Sequence, residues 1–175
     1  MENYLESLKY PIGKFSEPEQ ISYEQLKAWI AEIQALPNKL RDATQNLKPN
    51  QLDTPYRLNG WTIRQVVHHL PDSHLNAYIR FKLAITENEP TIKPYFEDRW
   101  AETADAKNGN IDVSLDLLES LHKRWVAFMT SLTAEDFERI FIHPEHGKSF
   151  MLKSVIGMFA WHGNHHVAHI RNVKF

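Results

Sequence analysis

The sequence predicts an all-α protein, a four-helix bundle with long connecting loops. Four segments carry apolar residues at helical spacing, and no convincing set of strands accompanies them. Proline and glycine are concentrated between these segments, where connections are expected. The chain has 175 residues, of which 42% are hydrophobic and 24% charged, so we expect one domain spanning 1–175 with a single sizeable core.

The first predicted helix follows an N-terminal segment that we expect to be an extended arm, residues 1–21, because that segment contains Pro11, Gly13 and Pro18. Ser22 and Gln25 form a capping-box signature at the start of the helix. Pro37 predicts a kink or a break in this helix, which then resumes. The apolar stripe consists of Leu26, Trp29, Ile30, Ile33, Leu36, Leu40 and Leu47.

The second predicted helix begins after a connection over 48–60. Thr62 and Gln65 again form a capping-box signature. Pro71 lies inside the helical pattern, where it removes one backbone hydrogen bond and clashes one turn back. We therefore expect a local bend or an irregular turn immediately after His69. The apolar stripe consists of Val66, Leu70, Ala77, Phe81 and Ile85.

The third and fourth predicted helices are separated from the second by a long loop over 88–111. A loop of this length in a compact domain usually covers a site or forms an interface, and this one carries Tyr95, Phe96 and Trp100. The third helix starts at about Ser114. A short helical turn over 133–137 and a loop over 143–147, at the tip of a small hairpin, precede the last helix, 151–173.

Composition excludes several classes of function. A net charge of -2 gives no electrostatic footprint for nucleic acid or an anionic membrane. The absence of cysteine excludes disulfides, thiolate ligands and a cysteine nucleophile. The chain has no apolar run long enough to cross a membrane, and its acidic start lacks a signal-peptide pattern, so we expect a cytoplasmic protein.

Histidine is the residue type that departs from this ordinary background. Four of the ten histidines fall within eight positions near the end of the chain, and His162 and His166 stand at i and i+4. On a helix this spacing places two imidazoles on one face, where they can bind one metal ion. The alternative is a polar pair on an exposed face. A third ligand could come from the pair His68 and His69 on the second helix, and three neutral histidines with one open position form a catalytic zinc-type ligand set.

The chain also resembles the DinB/YfiT-like superfamily, most closely its YfiT branch. The family pattern places a metal-binding histidine eight residues after a tryptophan, which here leads from Trp61 to His69, and two more on the last helix at His162 and His166. The resemblance implies a four-helix bundle, one divalent metal ion per chain held by these three histidines, and a homodimer. Pro71 departs from the pattern, which has a helix-forming residue there. The matching segments follow the family's order over nearly the whole chain: 10–15, 51–57, 61–80, 90–94, 118–125 and 160–170.

Several nearby polar residues could hydrogen-bond the ligands or simply lie at the surface. His68 and His165 each neighbour a ligand in sequence, and His169 lies one turn beyond His166. Asp72 and Asn76 are three and seven residues beyond His69, so both could face the site. A metal-binding histidine needs a partner for its second ring nitrogen, which is why we consider these residues.

Other histidines and aromatic residues have less specific interpretations. His122 and Trp125 close one wall of a pocket or belong to the core, and Phe159 and Trp161 are expected in the core. Tyr95, Phe96 and Trp100 line the mouth of the pocket or form a dimer contact. Two loop histidines are expected at the surface, His143 and His146.

The chemistry expected from such a site is activation of a ligand by a divalent ion, with zinc as our expectation and nickel as a possible alternative. At the open position the pKa of water falls from about 15.7 toward about 7, so metal-bound water is the expected nucleophile of a hydrolase acting on a small-molecule substrate, with the general base left open. The resemblance also allows a thiol S-transferase that activates a low-molecular-weight, bacillithiol-like thiol. A third alternative is a non-catalytic metal-binding module that ties the second helix to the fourth.

Overall fold

The structure, a computed structural model, describes residues 2–145 and 147–175. Four long helices form the bundle, as the sequence predicted: α2 (Tyr23–Thr44), α4 (Ile63–Thr86), α7 (Ile111–Thr130) and α8 (Leu152–Arg171). Four short helices lie outside it: α1 (Glu2–Lys9), α3 (Pro49–Leu52), α5 (Glu97–Trp100) and α6 (Ala104–Asn108). A 3-10 turn over Asp136–Glu138 leads into the predicted hairpin, whose strands are β1 (Ile140–His143) and β2 (Lys148–Met151). His146, predicted at the surface, lies outside the described residues.

The bundle has two pairs of parallel neighbours, α2 with α8 and α4 with α7. Parallel neighbours cannot be joined by a tight turn, so the chain between α4 and α7 crosses the length of the bundle. This is the reason for the long connection over 87–110. The contacts that give these directions are Trp29 with Gly157, Leu36 with Gly163, His74 with His122, and Tyr78 with Phe128.

Both predicted capping boxes mark the starts of long helices. The Ser22 hydroxyl accepts a hydrogen bond from the Gln25 backbone N–H at 3.1 Å. At α4 the pairing is reciprocal, because the Thr62 hydroxyl accepts from the Gln65 N–H and the Gln65 side chain accepts from the Thr62 N–H. The start of α4 is thereby fixed two turns before His69.

The two prolines inside helices do not interrupt them. The predicted break at Pro37 is wrong, because α2 continues through it to Thr44. Pro37 has no N–H to give the Ile33 carbonyl, and the His122 Nδ1–H donates to that carbonyl instead, at 2.6 Å. The irregular turn considered at Pro71 does not form either, since α4 is helical throughout.

The N-terminal segment is only partly the extended arm that we predicted. Residues Glu2–Lys9 form a helix, because this stretch has no proline or glycine and consists mostly of good helix formers. Pro11 disfavours helical geometry at Tyr10, and the helix ends there. The rest of the arm continues as turns and extended chain to α2.

The connection between α4 and α7 is hydrogen-bonded to β1 and to α4. Near its start, the Ile92 N–H donates to the Ile142 carbonyl of β1 at 3.0 Å. Further along, the Gln65 side chain donates to the Ala101 carbonyl at 2.7 Å. The connection therefore follows α4, and α7 begins three residues before the predicted Ser114, at Ile111 with Asn110 as its cap.

The interior of the bundle contains two apolar clusters. One includes Phe81, Trp125 and Phe159, and the other includes Leu40, Leu70, Leu118 and Val167. In α2 the boundary between them falls after Ile33, because Ile33 belongs to the first cluster and Leu36 to the second. In the described part of the chain, no helix is sufficiently long and apolar to cross a membrane.

Candidate metal centre

Three of the predicted histidines converge between α4 and α8. His69 comes from α4, and His162 and His166 come from successive turns of α8. One ring nitrogen from each lies within 4.8 Å of the other two. The Nε2 atoms of His69 and His162 are 3.3 Å apart. Two nitrogens bound to one tetrahedral zinc ion at about 2.0–2.1 Å are separated by about 3.3–3.4 Å, so the donor set fits such an ion.

Burial keeps the three imidazoles neutral. His69 and His166 are buried, and His162 is exposed only in part. Burial lowers the pKa of His69 to about 4. It also lowers the pKa of His162 and of His166 well below the ordinary value, with repulsion from neighbouring histidines adding to the effect. A neutral ring nitrogen is the form that binds a metal ion.

An open cleft of about 650 Å³ reaches all three rings. This volume is in the range of small-molecule sites. The acidic residues of its wall are Glu97 and Asp98, and the basic ones are Lys9 and Arg57. Six aromatic side chains also line it: Tyr10, Tyr56, Trp61, Tyr95, Phe159 and Trp161. The converging nitrogens therefore face a space that a small molecule can enter.

Further histidines contact the ligand rings, and one of them, His169, also lines the cleft. His74 Nε2 lies 3.2 Å from His162 Nδ1, and His74 Nδ1 lies 2.9 Å from His122 Nε2. The Nδ1 atom of His169 lies 3.4 Å from His166 Nδ1. His74 is completely buried, and His122 and His169 are nearly so. The Nδ1 atom of each ligand of α8 thus faces a buried imidazole.

Comparison with known proteins assigns the chain to a family. The DinB superfamily profile matches residues 32–170, which is most of the chain. The chain belongs to the DinB superfamily. Relatives from Bacillus cereus strain 03BB102 and from Bacillus anthracis are 55% identical over 170 residues, covering 97% of each chain, and carry the name "Putative metal-dependent hydrolase".

A solved structure of the same superfamily has the same fold. It is YfiT from Bacillus subtilis, described as "a probable metal-dependent hydrolase with an unusual four-helix bundle topology". The two structures are similar with a TM-score of 0.92 at 48% sequence identity, covering 94% of each chain. The predicted fold class and the predicted family are therefore confirmed.

Of the outer residues that sequence spacing suggested for this DinB-superfamily site, His169 contacts a ligand ring, whereas three others do not: His68, Asp72 and Asn76. His68 turns away from the ligands: its Nε2 donates to the Gly109 carbonyl at 3.4 Å, so its Nδ1 accepts from the Ser114 hydroxyl at 2.7 Å. Asn76 donates to the backbone carbonyl of Asp72. Burial, with repulsion from Asp105, raises the pKa of Asp72 to about 6. None of the contacts of these three residues reaches a ligand ring.

The aromatic residues also divide differently from the prediction. Trp161 was expected in the core, but it lines the cleft, stacks on His165 with ring centroids 4.5 Å apart and donates from Nε1 to the Gly13 carbonyl. Phe159 is buried as predicted. Tyr95 lines the cleft, whereas Phe96 and Trp100 remain largely exposed.

His74 was not singled out from the sequence, although a signal for it exists. It occupies a core position in the apolar stripe of α4, between Leu70 and Ala77. His122 interrupts the stripe of α7 in the same way, and the structure places it in the buried interior. A histidine at a core position must find a hydrogen-bond partner inside the protein. Two such positions on neighbouring helices indicate that the partners are each other.

Proposed function

We propose that the protein is a metal-dependent hydrolase in which His69, His162 and His166 hold one divalent ion, zinc. The observation that carries the proposal is the convergence of three ring nitrogens at the wall of an open cleft. The names of relatives that match 97% of the chain support it. The size of the cleft favours a small-molecule substrate.

The ligand count favours catalysis over a purely structural role. Structural zinc sites almost always have four protein ligands, whereas catalytic sites have three and keep one position open. The cluster of metal-binding side chains in the described part of this chain has three members. The cleft reaches the same three rings, so the remaining side of the site is accessible.

The residues of the site hold the ion and orient the substrate, and the ion supplies the reactivity. When bound, zinc acts as a Lewis acid that lowers the pKa of a coordinated water from about 15.7 toward about 7. Trp61 packs against His69, with ring centroids 4.7 Å apart, and restricts the tilt of that imidazole. The aromatic wall provides apolar surface for the substrate, and the carboxylates and cations at the rim, among them Asp98 and Arg57, can orient its polar groups.

The proposed function is tested by metal content and turnover in one set of variants, purified without a nickel column. We expect about one equivalent of zinc in the parent protein and a large loss in His69→Ala, His162→Ala and His166→Ala. His68→Ala is the matched control, because it removes an adjacent buried imidazole that contacts Ser114 instead of the site. Full occupancy in the three ligand variants would overturn the site.

Turnover then separates the reaction classes. Cleavage of an ester or amide panel without added thiol, lost in His166→Ala, is the expected result. Turnover that requires a low-molecular-weight thiol and an electrophilic acceptor would replace the hydrolase by a thiol S-transferase. A metal that raises the melting temperature while no substrate reacts would leave a non-catalytic metal-binding module.

A further inference from the structure

Two buried chains of hydrogen-bonded histidines lead away from the ligands, and each ends on a backbone carbonyl. The longer chain runs from His162 through His74 and His122 to the Ile33 carbonyl. The shorter one runs from His166 through His169 to the Lys9 carbonyl. A carbonyl oxygen only accepts hydrogen bonds, so the end of each chain fixes the direction of the whole chain.

The donor-to-acceptor direction of the longer chain is set at its end, the Ile33 carbonyl. The carbonyl of Ile33 is available because Pro37, one helical turn later, has no N–H to give it. His122 Nδ1 lies 2.6 Å from this oxygen and must carry the hydrogen. A neutral imidazole has one N–H, so His122 Nε2 is left with a lone pair.

The hydrogen positions on His74 and His162 follow from the hydrogen position on His122. His122 Nε2 accepts, so His74 Nδ1, 2.9 Å away, carries the hydrogen and His74 Nε2 has the lone pair. His74 Nε2 in turn accepts from His162 Nδ1 at 3.2 Å. The Nε2 atom of His162 is therefore the lone-pair nitrogen, and it is the atom that lies 3.3 Å from His69 Nε2.

The neutral state of His74 and His122 follows from their surroundings. His74 and His122 have at most 1% of their surface exposed, so a charge on either ring would be poorly solvated. Among the described residues, the hydrogen-bond partners of His74 and His122 are imidazoles and a carbonyl, with no carboxylate to balance a charge.

The shorter chain gives His166 the same arrangement. His169 Nε2 donates to the Lys9 carbonyl at 3.0 Å, so its Nδ1 has the lone pair. This nitrogen faces the Nδ1 of His166 at 3.4 Å, which then carries the hydrogen. Tyr56 stacks on His169 with ring centroids 3.9 Å apart and holds the ring in place. The Nε2 atom of His166 is therefore the lone-pair nitrogen, as it is in His162.

We propose that His74, His122 and His169 are positioning residues that hold His162 and His166 as Nδ1–H tautomers, with Nε2 presented to the metal before it binds. The tautomers are a property of the metal-free protein, and their consequence for metal affinity rests on the proposed function. The proposal also gives Pro37 a role, since its missing N–H leaves the Ile33 carbonyl without the usual i+4 helical donor, and His122 donates there.

The direct test is long-range proton–nitrogen correlation NMR of the metal-free protein with ¹⁵N-labelled histidine at pH 7.5. We expect Nδ1–H tautomers at His74, His122, His162 and His166, and an Nε2–H tautomer at His169. An Nε2–H tautomer at His162 or at His166 would overturn the proposal. This test uses the parent protein, so it does not depend on the folding of any variant.

Metal affinity tests the consequence, with Co²⁺ titration followed by its visible spectrum. We expect His74→Phe to weaken Co²⁺ binding by about 10- to 100-fold, as loss of an outer partner does elsewhere. His74→Gln, whose amide oxygen can still accept from His162, should recover most of that loss. Parent-like affinity in His74→Phe, or equal loss in both variants, would contradict the proposal.

The control is His68→Phe, the same substitution at another buried histidine of α4 that bonds to α7. It should lower stability and leave Co²⁺ affinity within a few-fold of the parent. A loss in this variant as large as in His74→Phe would show a general packing effect and contradict the proposal. If the parent protein binds no metal, the proposed function fails, whereas the NMR result still decides the tautomers.

Discussion

The neutral state of the histidines links metal binding to acid stability at the scale of single residues. Eight histidines of the described chain have a pKa lowered chiefly by burial. For His69 and His122 the lowered pKa is about 4. In the unfolded chain the same rings have an ordinary pKa of about 6.5 and take up protons first.

Acid should therefore destabilise the metal-free protein well above the pH at which carboxylates protonate. A depressed folded-state pKa contributes stability that is complete above about pH 6.5 and is lost as the pH falls toward about 4. Between pH 7.5 and 5.5 we expect a loss of about 1 kcal/mol for each of His69 and His122. Urea denaturation of the metal-free protein at both pH values measures this, and an unchanged midpoint would contradict the neutral, buried rings.

At the level of the helices, α8 packs against two neighbours, α4 and α2. Its histidines meet α4, while Gly157 and Gly163 allow close approach to α2. A methyl group added at Gly163 would collide with the buried side chain of Leu36. A glycine inside a helix costs stability, so its presence here reflects the close approach of α2 to the ligand-bearing helix.

Replacing Gly163 separates the contribution of packing to the free energy of unfolding from that of helix propensity. Gly163→Ala gains about 1 kcal/mol of propensity, yet overpacking a tight interior contact costs about 1–3 kcal/mol. We expect a net loss in the free energy of unfolding, measured by urea denaturation. Ala127→Gly on the exposed face of α7 is the control that measures the propensity difference alone. A gain in Gly163→Ala equal to the loss in Ala127→Gly would show that the contact with α2 is not restrictive.

The elements also show what local sequence could and could not predict. The starts of α2 and α4 were predictable because N-terminal capping, by Ser22 alone at α2 and by the full capping box at α4, is complete within four residues. Pro37 was misinterpreted because its lost hydrogen bond is compensated by His122, which is 85 residues later in the chain. The helix over Glu2–Lys9 was missed because Pro11 and Gly13, which lie beyond its end, were taken to describe the whole arm.

At the scale of the whole molecule, the candidate site bridges parts of the chain that are far apart in sequence. Spacing and family resemblance predicted that His69, His162 and His166 would meet, and the structure brings them together. His169 was among the candidates that spacing suggested, whereas the contact of His74 with His162 was not predicted, because the further partners of that chain come from α7 and α2. A single sequence does not state which helices are neighbours, so only the positions of His74 and His122 on apolar stripes hinted at this arrangement.

Because the three nitrogens come from α4 and α8, bound metal should stabilise the whole bundle. A ligand present at 100 times its dissociation constant adds about 2.7 kcal/mol to the free energy of unfolding. We expect zinc to raise the melting temperature of the metal-free parent by several degrees and to leave His162→Ala almost unchanged. Differential scanning calorimetry at pH 7.5 checks this, and an equal shift in both proteins would place the binding elsewhere.

In the proposed site, imidazoles from two helices far apart in sequence bind one ion and leave it accessible. X-ray absorption at the zinc edge of the loaded protein tests this most directly. We expect three imidazole nitrogens at about 2.0–2.1 Å and one further donor that exchanges with added small ligands. A fourth protein donor that closes the site, or fewer than three imidazoles, would contradict it.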